Sequence, residues 1–228
     1  MTMKKQPPSA RVPLTAEELE RMTVDDFLHL KLTDGEKVRL REINKAREQD
    51  RVASVARIRV EAATLLTELQ AAGLRIQSVG NLIGMSERYE AAIPILLRHL
   101  QMPYSDAVKE TIARSLAVPE QEVRNAWPIL VEEYRKAPMG WGIKGAGDTK
   151  EYKLGAKDGL ACALSVAVTD ETLEELIDIA KDRTHGESRL LLLSALKKRK
   201  DKNPRAKKAI EELANEPEFA KEIASWRK

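Results

Sequence analysis

Apolar residues recur every three or four positions along most of this chain, which is the spacing of amphipathic helices. Two six-residue stretches carry the same pattern with a proline at the same place: Ala92–Leu97 and Ala126–Val131, which begin 34 residues apart. A period of this length is typical of helical hairpins that stack on one another. The pattern therefore predicts an all-α fold built from repeated pairs of helices.

Alignment of the apolar positions extends this repeat over three and a half units. In the first helix of each pair, an apolar residue is followed by a leucine three positions later: Ile93/Leu96, Trp127/Leu130, Leu173/Leu176 and Ile210/Leu213. In the second helix, the matching residues stand four positions apart: Ile112/Leu116, Leu160/Leu164 and Leu192/Leu196. They predict first helices over 89–100, 121–136, 170–182 and 204–215, and second helices over 106–117, 156–168 and 187–199. A short helix from Glu218 follows.

Three helix-start signals precede the repeats, each with a threonine and a carboxylate three residues later: Thr15–Glu18, Thr23–Asp26 and Thr33–Glu36. This is the pattern of a capping box. The first signal predicts a short helix over 16–21. The third predicts a long helix from 34 to 72, ended by a glycine at position 73.

The middle of that long helix, residues 44–51, is almost wholly polar. It fits either one continuous helix or two helices with a bend near Gln49, and we favour one. The helix is also a candidate self-association arm, although it contains no clean heptad repeat.

The chain thus divides into a disordered, proline-containing tail (1–13), a helical N-terminal segment (14–84) and a repeat domain (85–228). A glycine-rich insertion at 138–155 interrupts the repeats, because four glycines and a proline in ten residues do not form a stable helix. This insertion holds the partner-binding candidates Trp141, Lys144 and Tyr152, since long loops on rigid scaffolds often carry function and aromatic residues dominate binding hot spots. A neutral loop is the alternative.

The composition fits this architecture, because 43% of the 228 residues are hydrophobic but only 4% are aromatic, a balance that favours helix over sheet. Cys162 is the single cysteine, which excludes an intramolecular disulfide, and no run approaches the length of a membrane span. We expect a cytoplasmic protein with no membrane association.

Catalytic motifs are not found in the sequence. Its three histidines, His29, His99 and His185, lie far apart, and no HExxH, CxxC, GxSxG or P-loop pattern occurs. We expect His99 to be a half-buried or capping residue at a helix end, His185 to be a helix-end residue and Cys162 to be a small buried residue. No catalytic residue, cofactor or metal site is assigned, and the chain is not expected to be an enzyme.

A basic cluster lies near the C-terminus, with eight basic residues in twelve positions: Lys197, Lys198, Arg199, Lys200, Lys202, Arg205, Lys207 and Lys208. Such a cluster can neutralise nucleic-acid phosphates. It is equally typical of solvated helix ends, where cations are favoured by the helix dipole. We favour the solvated interpretation, since the formal net charge of the chain is only +3.

The two proline-containing stretches, together with Asn203–Ala206, resemble the HEAT-like repeats, especially the short bacterial kind. The resemblance covers about residues 87–215 and implies a right-handed α–α superhelix. Such solenoids serve many unrelated partners, so the resemblance bears on fold rather than function. The function we favour is a non-catalytic protein-binding scaffold, an adaptor or inhibitor-type partner that uses its concave face and the glycine-rich loop. The insertion and the long N-terminal helix depart from the family pattern.

A second function follows from similarity to the HEAT-like DNA glycosylases, which hold duplex DNA on a basic concave surface. On that hypothesis the cluster 197–208 grips phosphates. An acidic set on one repeat helix argues against it, because these carboxylates would repel DNA: Asp170, Glu171, Glu174, Glu175 and Asp178. Protein binding is therefore the first hypothesis and nucleic-acid binding the second.

Overall fold

The computed structural model describes residues 11–139 and 155–226, and within these ranges the chain is helical, without strands. The all-α prediction is therefore confirmed. The helices are α1 (Ala16–Arg21), α2 (Val24–His29), α3 (Asp34–Glu61), α4 (Ala63–Ala71), α5 (Ile93–Leu100), α6 (Asp106–Ser115), α7 (Gln121–Asn125), α8 (Trp127–Lys136), α9 (Ala156–Ala167), α10 (Leu173–Lys181), α11 (Leu193–Arg199), α12 (Pro204–Leu213) and α13 (Pro217–Ser225). Short 3₁₀ segments lie at Val79–Leu82, Glu90–Ala92 and Arg183–Leu192. In the described ranges, none of the helices combines the length and the apolarity that crossing a membrane requires.

The chain forms two compact units, and the boundary between them falls within α3, after Ala56. Among the described residues, the first unit is 11–56 and the second is 57–139 with 155–226. The second unit takes in α4 and the segment at 76–82 as well as the repeats, because Leu65, Leu69 and Leu82 are buried in the same core as the repeat helices.

Capping boxes organise the first unit. The side-chain oxygens of Thr15, Thr23 and Thr33 each accept a hydrogen bond from the backbone N–H three residues later, at 3.2 to 3.3 Å. The carboxylate at that later position accepts in return from the threonine N–H, at 2.7 to 2.8 Å. The predicted helix starts are therefore confirmed, and α1 has the predicted bounds.

Glu36 is the central polar group of this unit and is only 1% exposed. One carboxylate oxygen accepts from the Leu14 N–H at 2.8 Å, while the other accepts from Thr33 and from the Arg11 guanidinium at 2.8 Å. The backbone N–H groups of Leu14 and Thr33 lower the pKa of Glu36 to about 2. Arg11 belongs to the predicted tail, but this ion pair anchors it; residues 1–10 lie outside the described residues.

The long helix runs unbroken past Gln49 and ends at Glu61, where Ala62 (φ −84°, ψ 5°) separates α3 from α4. The continuous stretch is shorter than predicted. At the break the Glu61 carboxylate accepts from the Ser105 hydroxyl at 2.6 Å, a contact that no local pattern reveals. Gly73 ends α4 with φ +97°, and the Leu74 N–H bonds the Leu69 carbonyl, which confirms the predicted glycine stop.

The core of the second unit follows the predicted register. All the paired apolar positions are buried, from Ile93 and Leu96 to Ile210 and Leu213, none more than 8% exposed. Helices pack in chain order: α5 on α6, α8 on α9, and α10 on the segment 183–192. Between pairs, α6 contacts α9, and α10 contacts α12.

Helix α9 lies at the centre of this packing, and ten of its twelve residues are buried. It approaches α6 closely at Gly159, where an added Cβ would lie 2.7 Å from the Glu110 carbonyl oxygen and 3.1 Å from the Ala113 Cβ. This contact requires glycine because the facing atom is backbone, which cannot move aside alone.

In the repeats, the predicted helix 89–100 begins with the 3₁₀ segment Glu90–Ala92, and two further predicted helices are interrupted. The first, 121–136, divides at Ala126 into α7 and α8, so Pro128 stands in the first turn of a new helix, where a missing N–H costs little. The second, predicted for 187–199, begins as the 3₁₀ segment 183–192, with Gly186 at φ +62°.

A buried arginine explains that second difference. Arg189 is 1% exposed and donates to the carbonyls of Ala180 and Gly186, at 3.0 and 3.1 Å. Its guanidinium also contacts Glu216 at 3.2 Å and Glu218 at 2.9 Å. The backbone of this segment therefore follows long-range polar contacts rather than the local apolar pattern.

Candidate interaction surface

Two grooves lie between the first helices of successive pairs in the second unit. A groove of about 400 Å³ separates α8 from α10 and is lined by Pro128, Val131, Glu132, Arg135, Lys136 and Glu175. A groove of about 450 Å³ separates α10 from α12 and is lined chiefly by Glu174, Ile177, Lys181, Arg205, Lys208 and Glu212. Side by side, they form what we call the first-helix surface.

Two consecutive glutamates on α10 connect the three helices of this surface. Glu175 accepts from the buried Trp127 indole N–H at 2.8 Å and from Arg135 at 3.0 Å, both on α8. Glu174 contacts Arg205 on α12 at 3.3 Å. Consecutive helical residues point about 100° apart, so neighbouring carboxylates reach opposite neighbours.

Each groove has an apolar floor beneath charged rims. Val131 and Ile177 are 3% exposed, whereas Arg135 and Lys181 extend into solvent. Lys181 pairs with Glu212 across the second groove at 2.6 Å. Both signs of charge therefore alternate along the surface, and this suits a polypeptide with mixed charge better than a polyanion.

A third groove, of about 400 Å³, lies at the ends of the glycine-rich insertion. Pro138, the first residue of the insertion, and Ala156, which directly follows it, line this groove together with Tyr104, Asp106, Lys109 and Glu133. The Asp106 carboxylate accepts from the Ala156 N–H at 3.1 Å, and Lys109 pairs with Glu133 at 2.8 Å. The candidates Trp141, Lys144 and Tyr152 themselves lie outside the described residues.

Lys157, just after the insertion, is a buried cation that the sequence pattern did not single out. It is 4% exposed and donates to the carbonyls of Tyr134 and Ala137, at 2.9 and 2.8 Å. Burial lowers the pKa of its amine. Its contacts satisfy the carbonyls that end α8, so it holds the helix end beside the insertion. A lysine among the small apolar residues of α9 is the one signal for it.

The basic cluster 197–208 does not converge on one surface. Arg205 and Lys208 line the groove towards α10, where they meet Glu174 and Glu212. Lys200 and Lys207 line a smaller cleft on the other side of α12, beside Trp226.

The four remaining members of the cluster do not line the groove towards α10. Lys197 lies over the Trp226 ring at 4.7 Å. Arg199 is half-buried and donates to the Val168 carbonyl at 2.6 Å. Lys198 and Lys202 are exposed. The acidic set expected to repel DNA is itself partly paired, through Glu174 and Glu175, with basic residues of neighbouring helices.

His99, His185 and Cys162 are all buried or half-buried among neighbouring side chains. His99 is fully buried and its Nδ1 lies 2.8 Å from the Tyr104 hydroxyl; His185 is buried edge-on to Tyr134. Cys162 is half-buried rather than fully buried, and desolvation raises the pKa of its thiol. Within 11–139 and 155–226, no three His, Cys, Asp or Glu side chains cluster as a metal site would require.

No family profile, curated protein or solved structure matches this chain. The surfaces described above are therefore the basis on which a function is inferred.

Proposed function

We propose that this protein is a non-catalytic, protein-binding scaffold of the adaptor or inhibitor type, and that its repeat region is a right-handed superhelix of HEAT-like hairpins. The buried register and the packing of helices in chain order support the architecture. In this proposal the glycine-rich insertion supplies a second contact; Pro138 at its start and Ala156 just after its end line the third groove.

The observation that carries the function is the row of grooves with apolar floors and alternating charges between α8, α10 and α12. Apolar area within a polar, hydrogen-bonding rim is the anatomy of protein interfaces. Glu175 is held in the rim by the buried Trp127 indole N–H as well as by Arg135, which reduces the entropy lost when a partner binds.

Nucleic-acid binding through the cluster 197–208 stays the second proposal, favoured by the exposed Lys198 and Lys202. The division of the cluster between two sides of α12 makes it the weaker one, because phosphate contacts need basic side chains along one continuous path.

The experiment compares partner capture by matched variants of the full chain. Glu132→Arg changes the exposed rim of the groove between α8 and α10, whereas Glu122→Arg makes the same exchange on α7, outside the grooves. We expect specific protein partners to be retained by wild type and by the Glu122 variant and lost with the Glu132 variant. Trp141→Ala tests the insertion in the same assay.

Fluorescence polarisation with duplex DNA and with RNA across a salt series separates the two proposals. Binding that falls steeply with salt, and is abolished by Lys198→Glu with Lys202→Glu, would favour the nucleic-acid function. Equal capture by wild type and the Glu132 and Trp141 variants would contradict the scaffold proposal.

A further inference from the structure

The central part of α3 is exposed to solvent. From Asn44 to Arg57, every side chain except the half-buried Ser54 is exposed. In the part of this helix that belongs to the first unit, three valines leave about half of their surface in water: Val38 (50%), Val52 (54%) and Val55 (53%). Valine has no advantage in an exposed helix, because its branched side chain loses rotamer freedom there, so its recurrence needs another reason.

These valines lie on a single face of the helix. Counting from Val38, steps of three, four, three, four and three residues reach Arg41, Lys45, Glu48, Val52 and Val55. This 3–4 spacing is that of the contact seam of a helix pair. We call these six positions the α3 seam.

The seam is not the face that holds the N-terminal helices. Contacts of α3 with the preceding segment pass through Glu36, which accepts from Arg11 and from the Leu14 N–H. They also pass through Arg47, whose guanidinium lies 3.3 Å from the Glu20 carbonyl, and through Arg39, which lies 3.4 Å from the Leu14 carbonyl. None of these three residues belongs to the seam. Among the described residues of the first unit, 11–56, the α3 seam is therefore open to another molecule.

We propose that the α3 seam binds the same seam of a second copy of this chain, with the two helices antiparallel. The charges along the seam favour the antiparallel orientation over the parallel one. In a parallel pair Arg41, Lys45 and Glu48 would each face their own counterpart, which places like charges together three times.

An antiparallel pair centred between Ala46 and Arg47 resolves this conflict. Val38 then faces Val55 of the other copy, Arg41 faces Val52, and Lys45 faces Glu48, each contact occurring twice by symmetry. The aliphatic part of Arg41 can cover Val52 while its charged end stays in water. All three kinds of contact are thus compatible at once.

Glu48 keeps an acceptor for the second copy. Its carboxylate accepts from Arg51 of its own helix, at 2.6 and 2.8 Å. A carboxylate has about four lone-pair sites, so both oxygens can accept again from Lys45 of the other copy. The exposed pair with Arg51 contributes little by itself and does not oppose the new contact.

The size of the seam predicts a weak, concentration-dependent dimer. Eighteen helical residues span about 27 Å. One helix pair of this length belongs with the smallest specific interfaces. Sedimentation velocity of the full chain between about 1 µM and about 1 mM covers the corresponding range of dissociation constants. We expect monomer at the low end and dimer at the high end.

Charge exchange tests the register. Lys45→Glu and Glu48→Lys each place like charges opposite one another twice, and we expect each to weaken the dimer by roughly tenfold. Combining both substitutions in one chain restores the pairing with its signs reversed, so dimerisation should return. Mixing the two single variants should also give a heterodimer, because the acidic seam of one then meets the basic seam of the other.

Asp50→Lys is the matched control for Glu48→Lys, since it makes the same change of charge on the same helix at a position outside the seam. We expect no loss of dimerisation with it, and circular dichroism verifies that every variant keeps its helix. A wild-type chain that stays monomeric up to about 1 mM would overturn the proposal. Single variants that fail to associate when mixed, or an Asp50 variant as weak as the Glu48 variant, would also overturn it.

Discussion

Each of the two units of this chain is stabilised internally by a different kind of interaction. The first, residues 11–56, buries only Leu19, Met22 and Glu36 among the residues whose burial is described, and depends on capping boxes and the Glu36 hydrogen bonds. The second buries a continuous set of leucines, isoleucines and valines between its helices. The first unit depends mainly on directional polar contacts, whereas the second is mainly a packed apolar core that also contains buried polar groups such as Lys157 and Arg189.

This difference predicts how each unit responds to change. Apolar packing is sensitive to volume and nearly indifferent to pH, whereas a carboxylate network is sensitive to protonation and tolerates small changes of volume. Substitutions that add a methyl group to the core should therefore destabilise the second unit, and protonation at low pH should destabilise the first.

The largest effect is expected from Gly159→Ala. The added methyl group would lie 2.7 Å from the Glu110 carbonyl oxygen, so α6 and α9 must separate. We expect a loss of about 1–3 kcal/mol in the free energy of unfolding, measured by urea denaturation.

The matched control is Gly35→Ala in the first turn of α3, where nothing lies within 4 Å of the added group. Here the higher helix propensity of alanine should stabilise the protein by up to about 1 kcal/mol. The same substitution thus has opposite signs in the two units. A destabilising Gly35 variant, or a neutral Gly159 variant, would break the comparison.

A smaller effect is expected from acid. The pKa of Glu36 falls from 4.5 to about 2 on folding, so this carboxylate contributes stability that is present above about pH 4.5 and is lost as the pH falls through about 2. Hydrogen bonds to the threonines of the other two boxes also lower the pKa of Glu18 and of Asp26.

We therefore expect the first unit to lose structure between about pH 4.5 and pH 2, before the second does. Limited proteolysis with pepsin across this range would detect it as early cleavage within 11–56. Cleavage that begins in α9 or α10 instead would contradict the assignment.

Most of the fold was predictable where local signals decide it. The threonine–carboxylate pairs predicted where the N-terminal helices begin, and Gly73 predicted where α4 ends. The apolar register predicted which positions are buried. The break at Ala62 and the 3₁₀ segment 183–192 were not predictable. The first coincides with the hydrogen bond from Ser105 to Glu61, and the second with the contacts of Arg189 to Glu216 and Glu218, all of them between distant residues.

The candidate surfaces show the same limit. The basic cluster and the acidic set could be located in the sequence, but each was interpreted as a surface patch carrying a single sign of charge. In the folded chain Glu174 pairs with Arg205 and Glu175 with Arg135, across 31 and 40 positions of sequence. Charge composition was therefore readable from the sequence, whereas charge pairing required the structure.

The most direct test of the contrast between the units is hydrogen exchange of wild type and Glu36→Gln at neutral pH. Glutamine keeps the size of the side chain but removes the charge that Arg11 and the backbone N–H groups of Leu14 and Thr33 stabilise. We predict faster exchange of backbone amides within 11–56 and unchanged protection in α6, α9 and α10. Equal loss of protection in both units, or no change within 11–56, would contradict the account.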